Sequence, residues 1–159
     1  MAGVTEVRAA VAGDADRLAQ LRWDFRVARA PVQEEHDAFL RRCADWMRRE
    51  LASQAVWRAW VAVAGEAIVG QLWVQTINKM PNPVAERERH AYVSNVYVQP
   101  DHRGGAGSRL LDAALAWARA EQMDRVILWP SSRSVTLYER HGFTRHGDVM
   151  ELALGPSRR

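Results

Sequence analysis

The segment Asn95–Leu111, NVYVQPDHRGGAGSRLL, determines the fold that we predict for this chain. It opens with β-branched and aromatic residues at 96–98, which indicate a strand. Pro100 ends this strand, because proline has no N–H group to donate to a neighbouring strand. Three glycines follow, and apolar residues then recur at helical spacing at Leu110, Leu111, Ala114, Leu115 and Ala118. The segment therefore predicts a strand, a glycine-rich turn and a helix in direct succession.

A glycine-rich turn that opens into a helix directs backbone N–H groups toward an anion. The first N–H groups of a helix have no intrahelical partner, and the helix dipole adds partial positive charge at the same place. Arg103 adds a full cation, whose planar guanidinium suits phosphate oxygens. We therefore predict a phosphate-binding loop over residues 103–108.

Two other phosphate-binding motifs do not fit these residues. A Walker A loop requires Lys and then Ser or Thr after its last glycine, whereas Ser108 and Arg109 follow Gly107. A dinucleotide-binding fingerprint requires GxGxxG, and the glycines at 104, 105 and 107 have a different spacing. The alternative to a phosphate-binding loop is a glycine-rich turn without a ligand.

Motifs on either side of the turn resemble those of the GCN5-related N-acetyltransferase (GNAT) family. In that family a strand leads into Arg/Gln-x-x-Gly-x-Gly/Ala and then into a helix. RVILW at Arg125–Trp129 resembles the family's next strand, and SVTLYERHGF at Ser134–Phe143 resembles its helix ending in Leu-Tyr-x-x-x-Gly-Phe. The resemblance covers residues 92–154. It implies an α/β fold with a mixed, mostly antiparallel central sheet flanked by helices, in a single domain over 1–159.

The glycine-rich loop is one residue shorter than the family's pattern. If Arg103 takes the Arg/Gln position, the family's two small positions fall on Ala106 and Ser108. If His102 takes it, they fall on Gly105 and Gly107. Both registers remain open, and backbone N–H groups form such a loop in either of them. The cofactor-binding residues predicted in this loop are Arg103, Gly104, Gly105, Ala106, Gly107 and Ser108.

The resemblance implies acetyl transfer from acetyl-CoA, bound as a co-substrate, to an amine. It places the backbone of Val96, Tyr97 and Val98 beside the pantetheine arm, in the manner of an added strand. Ser131 stands where the family often has an asparagine that contacts the cofactor, and Ser134 is a second hydroxyl nearby. No metal site is expected, since no Cys/His spacing is typical of zinc.

The resemblance also implies a catalytic role for Tyr138. This residue occupies the tyrosine position of the Leu-Tyr-x-x-x-Gly-Phe motif, where its phenol would protonate the departing thiolate. A tyrosine that only packs on a short helix is the structural alternative. No Ser-His-Asp or Cys-His arrangement is indicated, so direct transfer is expected rather than a covalent acyl-enzyme.

The general base remains open at this stage. The family often uses a glutamate of the central strand, but this strand has none. A water chain is one candidate, since it can carry the proton away without a side-chain base. The other candidates are the polar residues of the strand, His90, Tyr92, Ser94 and Asn95.

The rest of the sequence predicts further helices and strands. Gly70 interrupts a strand pattern, which indicates a bulge or a close backbone approach, and Trp57, Trp60 and Trp73 are expected in the core. Before the central segment, the predicted elements are a strand at Thr5–Ala10, a helix capped by Asp14 or Asp16 and broken by Pro31, a helix at about Gln33–Leu51, a hairpin of Val56–Ala64 and Glu66–Thr76, and a loop at Asn78–Arg89. In and after it they are a strand at His90–Val98, a helix at Gly107–Glu121, a buried strand at Arg125–Trp129, a short helix at Ser134–His141, and strands at Thr144–His146 and Val149–Leu154.

Length and composition limit the class of protein. At 159 residues the chain suits one domain, with a cofactor half at about 90–154 and an acceptor half at about 1–89. The formal charge of 22 − 19 = +3 is not gathered on one basic face, which disfavours nucleic-acid binding. Apolar runs such as Ala59–Ala64 are too short to span a membrane, and the N-terminus lacks a signal-peptide pattern. With Cys43 as the one cysteine, a cytoplasmic protein is expected.

The predicted function is acetyl-CoA-dependent N-acetylation of an amine on a small molecule or a protein. A transferase that uses another acyl-CoA and a CoA-binding module without catalysis are the alternatives. Neither nucleic acid nor a membrane is expected as a partner. The acceptor and the oligomeric state remain open, although homodimers are common in the resembled family.

Overall fold

The computed structural model describes residues 3–4 and 6–154, which form five strands and four α-helices. The strands are β1 (Glu6–Ala9), β2 (Trp57–Ala64), β3 (Ala67–Asn78), β4 (Arg89–Val98) and β5 (Arg125–Ile127). The helices are α1 (Ala15–Val27), α2 (His36–Ser53), α3 (Ala106–Ala120) and α4 (Val135–Arg140), and single 3₁₀ turns lie at Ala12–Asp14 and Pro100–His102.

The five strands form one sheet in the order β1-β2-β3-β4-β5. The first three pairings are antiparallel and the last, between β4 and β5, is parallel. The predicted fold class, an α/β fold with a mixed, mostly antiparallel sheet flanked by helices, is therefore confirmed. Thr5, with which the predicted first strand begins, lies outside the described residues.

Helices cover both faces of this sheet. Residues of α1 and α2 pack with Ala59, Val61 and Val63 of β2 in one core. Trp60 faces the opposite side, because successive residues of a strand alternate between faces. There its ring lies 5.6 Å from the ring of Trp117 in α3, measured between centroids. The predicted burial of the tryptophans is confirmed: Trp60 and Trp73 are buried, and Trp57 packs partly buried against the α1–α2 core.

Gly70 lies where β3 and β4 approach each other closely. The pairing of β2 with β3 slips here, since Ala62 pairs with Gly70 and Val63 pairs with Ile68. A Cβ atom on Gly70 would stand 3.0 Å from Val98 Cγ2 and 3.1 Å from the carbonyl oxygen of Tyr97. Both features predicted for Gly70, the bulge and the close backbone approach, are confirmed.

The position of the first helix start, directly after Asp14, is as predicted, whereas the second helix begins later than predicted. Asp14 precedes α1 but makes no side-chain cap, because Arg8 and the Val11 N–H group occupy both of its carboxylate oxygens. Helix α2 begins at His36 rather than Gln33, with Glu35 as its cap: the N–H group of Ala38 donates to Glu35 Oε2 at 3.0 Å. Both starts are therefore decided by side-chain partners that helical spacing does not reveal.

Predictions for the last part of the chain are partly wrong. β5 is three residues long rather than five, and it is exposed or half-buried because it lies at the edge of the sheet. The segments 144–146 and 149–154 contain no strand. Met150, Leu152 and Leu154 alternate as in a strand but are 97%, 81% and 92% exposed, so nothing buries the face that this alternation would create. The chain divides into two compact units, Met1–Trp129 and Pro130–Arg159.

Candidate active site

The far half of β4 has a backbone edge that β5 does not occupy. β5 pairs with β4 only from His90 to Tyr92, whereas β4 continues to Val98. Beyond β4, the N–H group of Gln99 donates to Val69 of β3 at 2.8 Å. Backbone groups of an antiparallel strand face alternate sides, so those of Val98 and Val96 face away from β3. This edge therefore presents backbone donors and acceptors to an extended ligand.

A β-bulge interrupts β4 at Ser94. Trp73 pairs with Asn95 and Val74 with Val93, which leaves Ser94 as the extra residue. Bulges of this kind re-aim side chains and are frequent beside active sites. Ser94 lies four residues before Val98, or about 13 Å at the usual rise of a strand.

The glycine-rich turn after β4 is open on its outer side. Gly105 has φ +83°, a left-handed conformation that favours glycine, and it caps α3. The first helical bond runs from the Arg109 N–H group to the carbonyl of Gly105 at 3.1 Å, so the N–H groups of Ala106 and Gly107 precede it. A Cβ atom on Gly104 or Gly105 would meet no described atom within 4 Å. The turn therefore combines helix N–H groups with space for an anion.

Arg103 joins the turn to the end of β4. Its Nε donates to the carbonyl oxygen of Val98 at 3.2 Å, which is the carbonyl that faces away from β3. The side chain is otherwise exposed, and this bond does not use its Nη groups. The structure thus brings together the predicted residues of β4 and the turn, with a cation beside the helix N-terminus.

The four candidates for the general base lie along β4. Burial lowers the pKa of His90, with a smaller effect of Lys79, and its buried Nε2 finds no partner in the described part of the chain. The ring of Tyr92 packs edge-on against Trp129 with centroids 4.9 Å apart. Ser94 is the bulge residue, and Asn95 is 7% exposed. Ser94 and Asn95 lie nearest to the free edge of β4.

The second unit carries Ser131, Ser134 and Tyr138. The Ser134 hydroxyl donates to the Ser131 carbonyl at 3.0 Å, and the two hydroxyl oxygens are also 3.0 Å apart. The N–H group of Phe143 donates to the Tyr138 carbonyl and that of Gly142, at φ +86°, to the Glu139 carbonyl. These two bonds form a Schellman motif, whose apolar contact is the Tyr138–Phe143 ring pair at 5.6 Å. Gly142 therefore ends this helix, and the buried Tyr138 ring has a structural role there.

Sequence reasoning missed Arg22 as a site residue. Its Nη1 donates to Asn95 Oδ1 at 3.2 Å, so α1 contributes a cation beside the bulge. A signal was present in the sequence, because Leu18, Arg22 and Phe25 follow one another at the spacing of a buried helical stripe. An arginine in such a stripe indicates a buried polar contact.

Two kinds of site find no support in the described residues. Within 3–4 and 6–154, no three His, Cys, Asp or Glu side chains are grouped so as to hold a metal ion. Over the same residues, every helix is too short or too polar to cross a bilayer.

Comparisons with known proteins agree with this architecture. A crystal structure of a predicted acetyltransferase with acetyl-CoA from Clostridium acetobutylicum superposes with a TM-score of 0.78 at 22% identity, over 94% of this chain and 96% of that chain. A GCN5-related N-acetyltransferase from Ralstonia eutropha superposes with a TM-score of 0.73 at 22% identity, over 94% and 99% of the two chains. At such identities the superpositions show a shared fold.

Sequence comparison gives the family. Mycothiol acetyltransferase from Geodermatophilus obscurus is 36% identical over 89 residues, which are 52% of this chain. The chain spans 27% of the length of that relative. The model of the acetyltransferase (GNAT) family matches residues 16–143, which include parts of both units. This chain belongs to the acetyltransferase (GNAT) family.

Proposed function

We propose that this chain is an N-acetyltransferase that moves an acetyl group directly from acetyl-CoA to an amine. The observation that carries the proposal is the succession of a free strand edge, an open glycine turn and a helix N-terminus at the end of β4. Family membership and the presence of acetyl-CoA in the C. acetobutylicum structure support the same ligand. We expect the reaction to take place in the cytoplasm.

The residues fit acetyl-CoA in two places. The N–H groups of the turn, from Gly104 to Ser108, would hold the pyrophosphate, with the Arg103 guanidinium as counter-charge. The outward backbone groups of Val96 and the outward N–H group of Val98, with Tyr97 between them, would hold the pantetheine arm as an added strand, while the Val98 carbonyl accepts from Arg103 Nε. Ser131 and Ser134 are proposed as further contacts. When bound, acetyl-CoA supplies the activated acetyl group.

Four tasks fall to the chain in this reaction. It anchors the cofactor, polarises the acetyl carbonyl, keeps the amine neutral and protonates the leaving thiolate. We assign protonation to the Tyr138 phenol, on the strength of its position in the motif. Removal of the amine proton is proposed for His90, Tyr92 or Ser94, directly or through water, whereas Asn95 could only hold such a water by hydrogen bonds.

A turnover assay tests this proposal. The purified protein is mixed with acetyl-CoA and a panel of primary amines, and thiol release and the acetylated product are both measured. Amine-dependent release of CoA with formation of an amide supports the proposal. If turnover were seen only with a longer acyl-CoA, that compound would be the donor in place of acetyl-CoA. Tight binding of CoA without turnover of any amine would contradict the enzyme assignment.

A further inference from the structure

Arg22 and Asn95 meet on the face of the sheet that α1 and α2 cover, directly beside the β4 bulge. Arg22 Nη1 lies 3.2 Å from Asn95 Oδ1, and Asn95 follows the bulge residue Ser94. If the pantetheine arm follows the free edge of β4 from the turn, its thioester end comes to lie near this bulge. Arg22 would then lie near the reacting carbonyl and the incoming amine.

The charge of Arg22 is not balanced in the described part of the chain. Within the described residues Arg22 makes no ion pair, and its side chain donates one hydrogen bond, to the neutral amide of Asn95. Burial lowers the pKa of Arg22, and the neighbouring cations Arg26 and Arg29 lower it further. A half-buried cation with a neutral partner and cationic neighbours carries a large desolvation cost. The attraction of a bound anion would offset part of that cost.

Asn95, the partner of Arg22, has a hydrogen-bond donor without an acceptor in the described part of the chain. This donor is the buried Nδ2 group, and Asn95 as a whole is 7% exposed. Because Oδ1 accepts the hydrogen bond from Arg22, the Nδ2 group is left to act as a donor. Buried donors of this kind are normally satisfied, so an acceptor group is expected here from water or from a ligand.

Phe25 holds two of these cations close together. Its ring centroid lies 5.4 Å from the Arg22 guanidinium carbon and 3.8 Å from that of Arg29. Cation–π contacts explain why each guanidinium packs on the ring.

We infer that Arg22, positioned by Asn95, binds an anionic group of the acceptor, which is therefore an amine that also carries a carboxylate or a similar anion. This inference rests on the proposed function and names the acceptor class of the same site.

Matched acceptors, two variants of Arg22 and one control variant test the inference. Acceptors are α-amino acids and the corresponding amino acid amides, which share the amine and differ in the carboxylate. For the wild type we expect kcat/KM at least tenfold higher for the carboxylates. Arg22→Gln, which keeps a donor for Asn95, should abolish that preference, and Arg22→Lys should retain part of it. Arg48→Gln removes an exposed arginine paired with Asp16 and Asp45 and should change nothing.

A binding measurement separates this inference from the proposed function. Calorimetry with N-acetyl amino acids and their amides, in the presence of CoA, should show binding of the carboxylates that Arg22→Gln weakens at least tenfold. Equal kcat/KM for acids and amides, or an Arg22→Gln variant that keeps the wild-type preference, overturns the inference while the enzyme assignment stands. If no amine is acetylated, the proposed function fails, and absence of carboxylate binding then overturns the inference as well. Unchanged acetyl-CoA affinity of Arg22→Gln shows that the variant is folded.

Discussion

Gly105 holds the turn in a conformation that other residues adopt at a cost. Its φ of +83° is left-handed, whereas the neighbouring Gly104 does not have a left-handed φ, and a Cβ atom on either residue would meet open space. We therefore expect Gly105→Ala to lower the free energy of unfolding by about 1–2 kcal/mol. Gly104→Ala is the matched control and should be close to wild type. Denaturant unfolding of both variants measures the difference, and equal midpoints would contradict the conformational argument.

Tyr138 has two separable roles, one chemical and one structural. Tyr138→Phe removes the hydroxyl and keeps the ring that contacts Phe143, so we expect kcat to fall roughly a hundredfold with little loss of stability. Phe143→Leu keeps the phenol and removes the ring contact, so we expect a lower unfolding midpoint and a smaller change in kcat. Steady-state kinetics and thermal unfolding of both variants separate the roles. An unchanged kcat in Tyr138→Phe would remove this residue from the mechanism.

At the scale of elements, the contact between β3 and β4 depends on Gly70. A Cβ atom here would stand 3.1 Å from the Tyr97 carbonyl oxygen, a backbone atom that cannot turn away as a side chain can. We expect Gly70→Ala to destabilise the fold by about 1–3 kcal/mol and to weaken acetyl-CoA binding, because β4 must shift next to the turn. Gly13→Ala meets nothing within 4 Å among the described atoms and is the control. Wild-type stability of Gly70→Ala would show that the sheet opens here without cost.

The junction between β1 and α1 depends on pH through Asp14. Hydrogen bonds from Arg8 and the Val11 N–H group lower the pKa of Asp14, against the effect of burial. A carboxylate with a lowered folded pKa contributes stability in full above its unfolded pKa of about 4, and loses it as the pH falls through the folded value. Asp14→Asn should therefore lower stability by about 1–2 kcal/mol at pH 7 and flatten the decline below pH 5. Unfolding midpoints from pH 7 to 3 measure this.

The control for Asp14 is Asp16→Asn. The Asp16 side chain is 83% exposed and pairs with Arg48 on the surface. We expect it to change stability by a few tenths of a kcal/mol at most. If stability depended on pH in the same way in both variants, the pH dependence could not be assigned to Asp14.

Local patterns predicted β4, the turn and α3 because each carries its own signal. Pro100 ends the strand, and Gly105 permits the left-handed backbone conformation of the turn. Leu110 and Leu111 then begin the buried face of the helix. The start of α1 was less predictable, since Asp14 can either cap a helix or pair with an arginine, and Arg8 decides between them. Alternation at 150–154 predicted a strand that the structure does not contain, because alternation alone supplies no partner strand.

The candidate site was predictable where backbone forms it and not where side chains meet across the fold. The turn and the end of β4 are contiguous in sequence, so one motif identified them. The Arg22–Asn95 contact joins residues 73 positions apart, and no local pattern encodes that distance. Acceptor recognition depends on contacts of this second kind, which is why the sequence indicates the donor more closely than the acceptor.

For the whole molecule, the sheet separates two surfaces of the first unit. α1 and α2 cover the face that carries Asn95, which Arg22 of α1 contacts, and α3 covers the other face and begins at the glycine turn. We propose that this division assigns acceptor recognition to α1 and anchoring of the cofactor to the turn before α3. Acetyl-CoA should then bind without an acceptor present.

Calorimetric titration with acetyl-CoA, CoA and NAD tests the central claim most directly, in the wild type and in Gly104→Glu. The new carboxylate would enter the open space of the turn without backbone strain, because Gly104 has no left-handed φ. Ala52→Glu adds the same charge on the exposed side of α2, near the opposite end of the sheet, and is the control. We predict micromolar binding of both CoA species but not NAD, at least tenfold weaker in Gly104→Glu and unchanged in Ala52→Glu. Absence of CoA binding in the wild type, or equal affinity in Gly104→Glu, would show that the turn does not hold the cofactor.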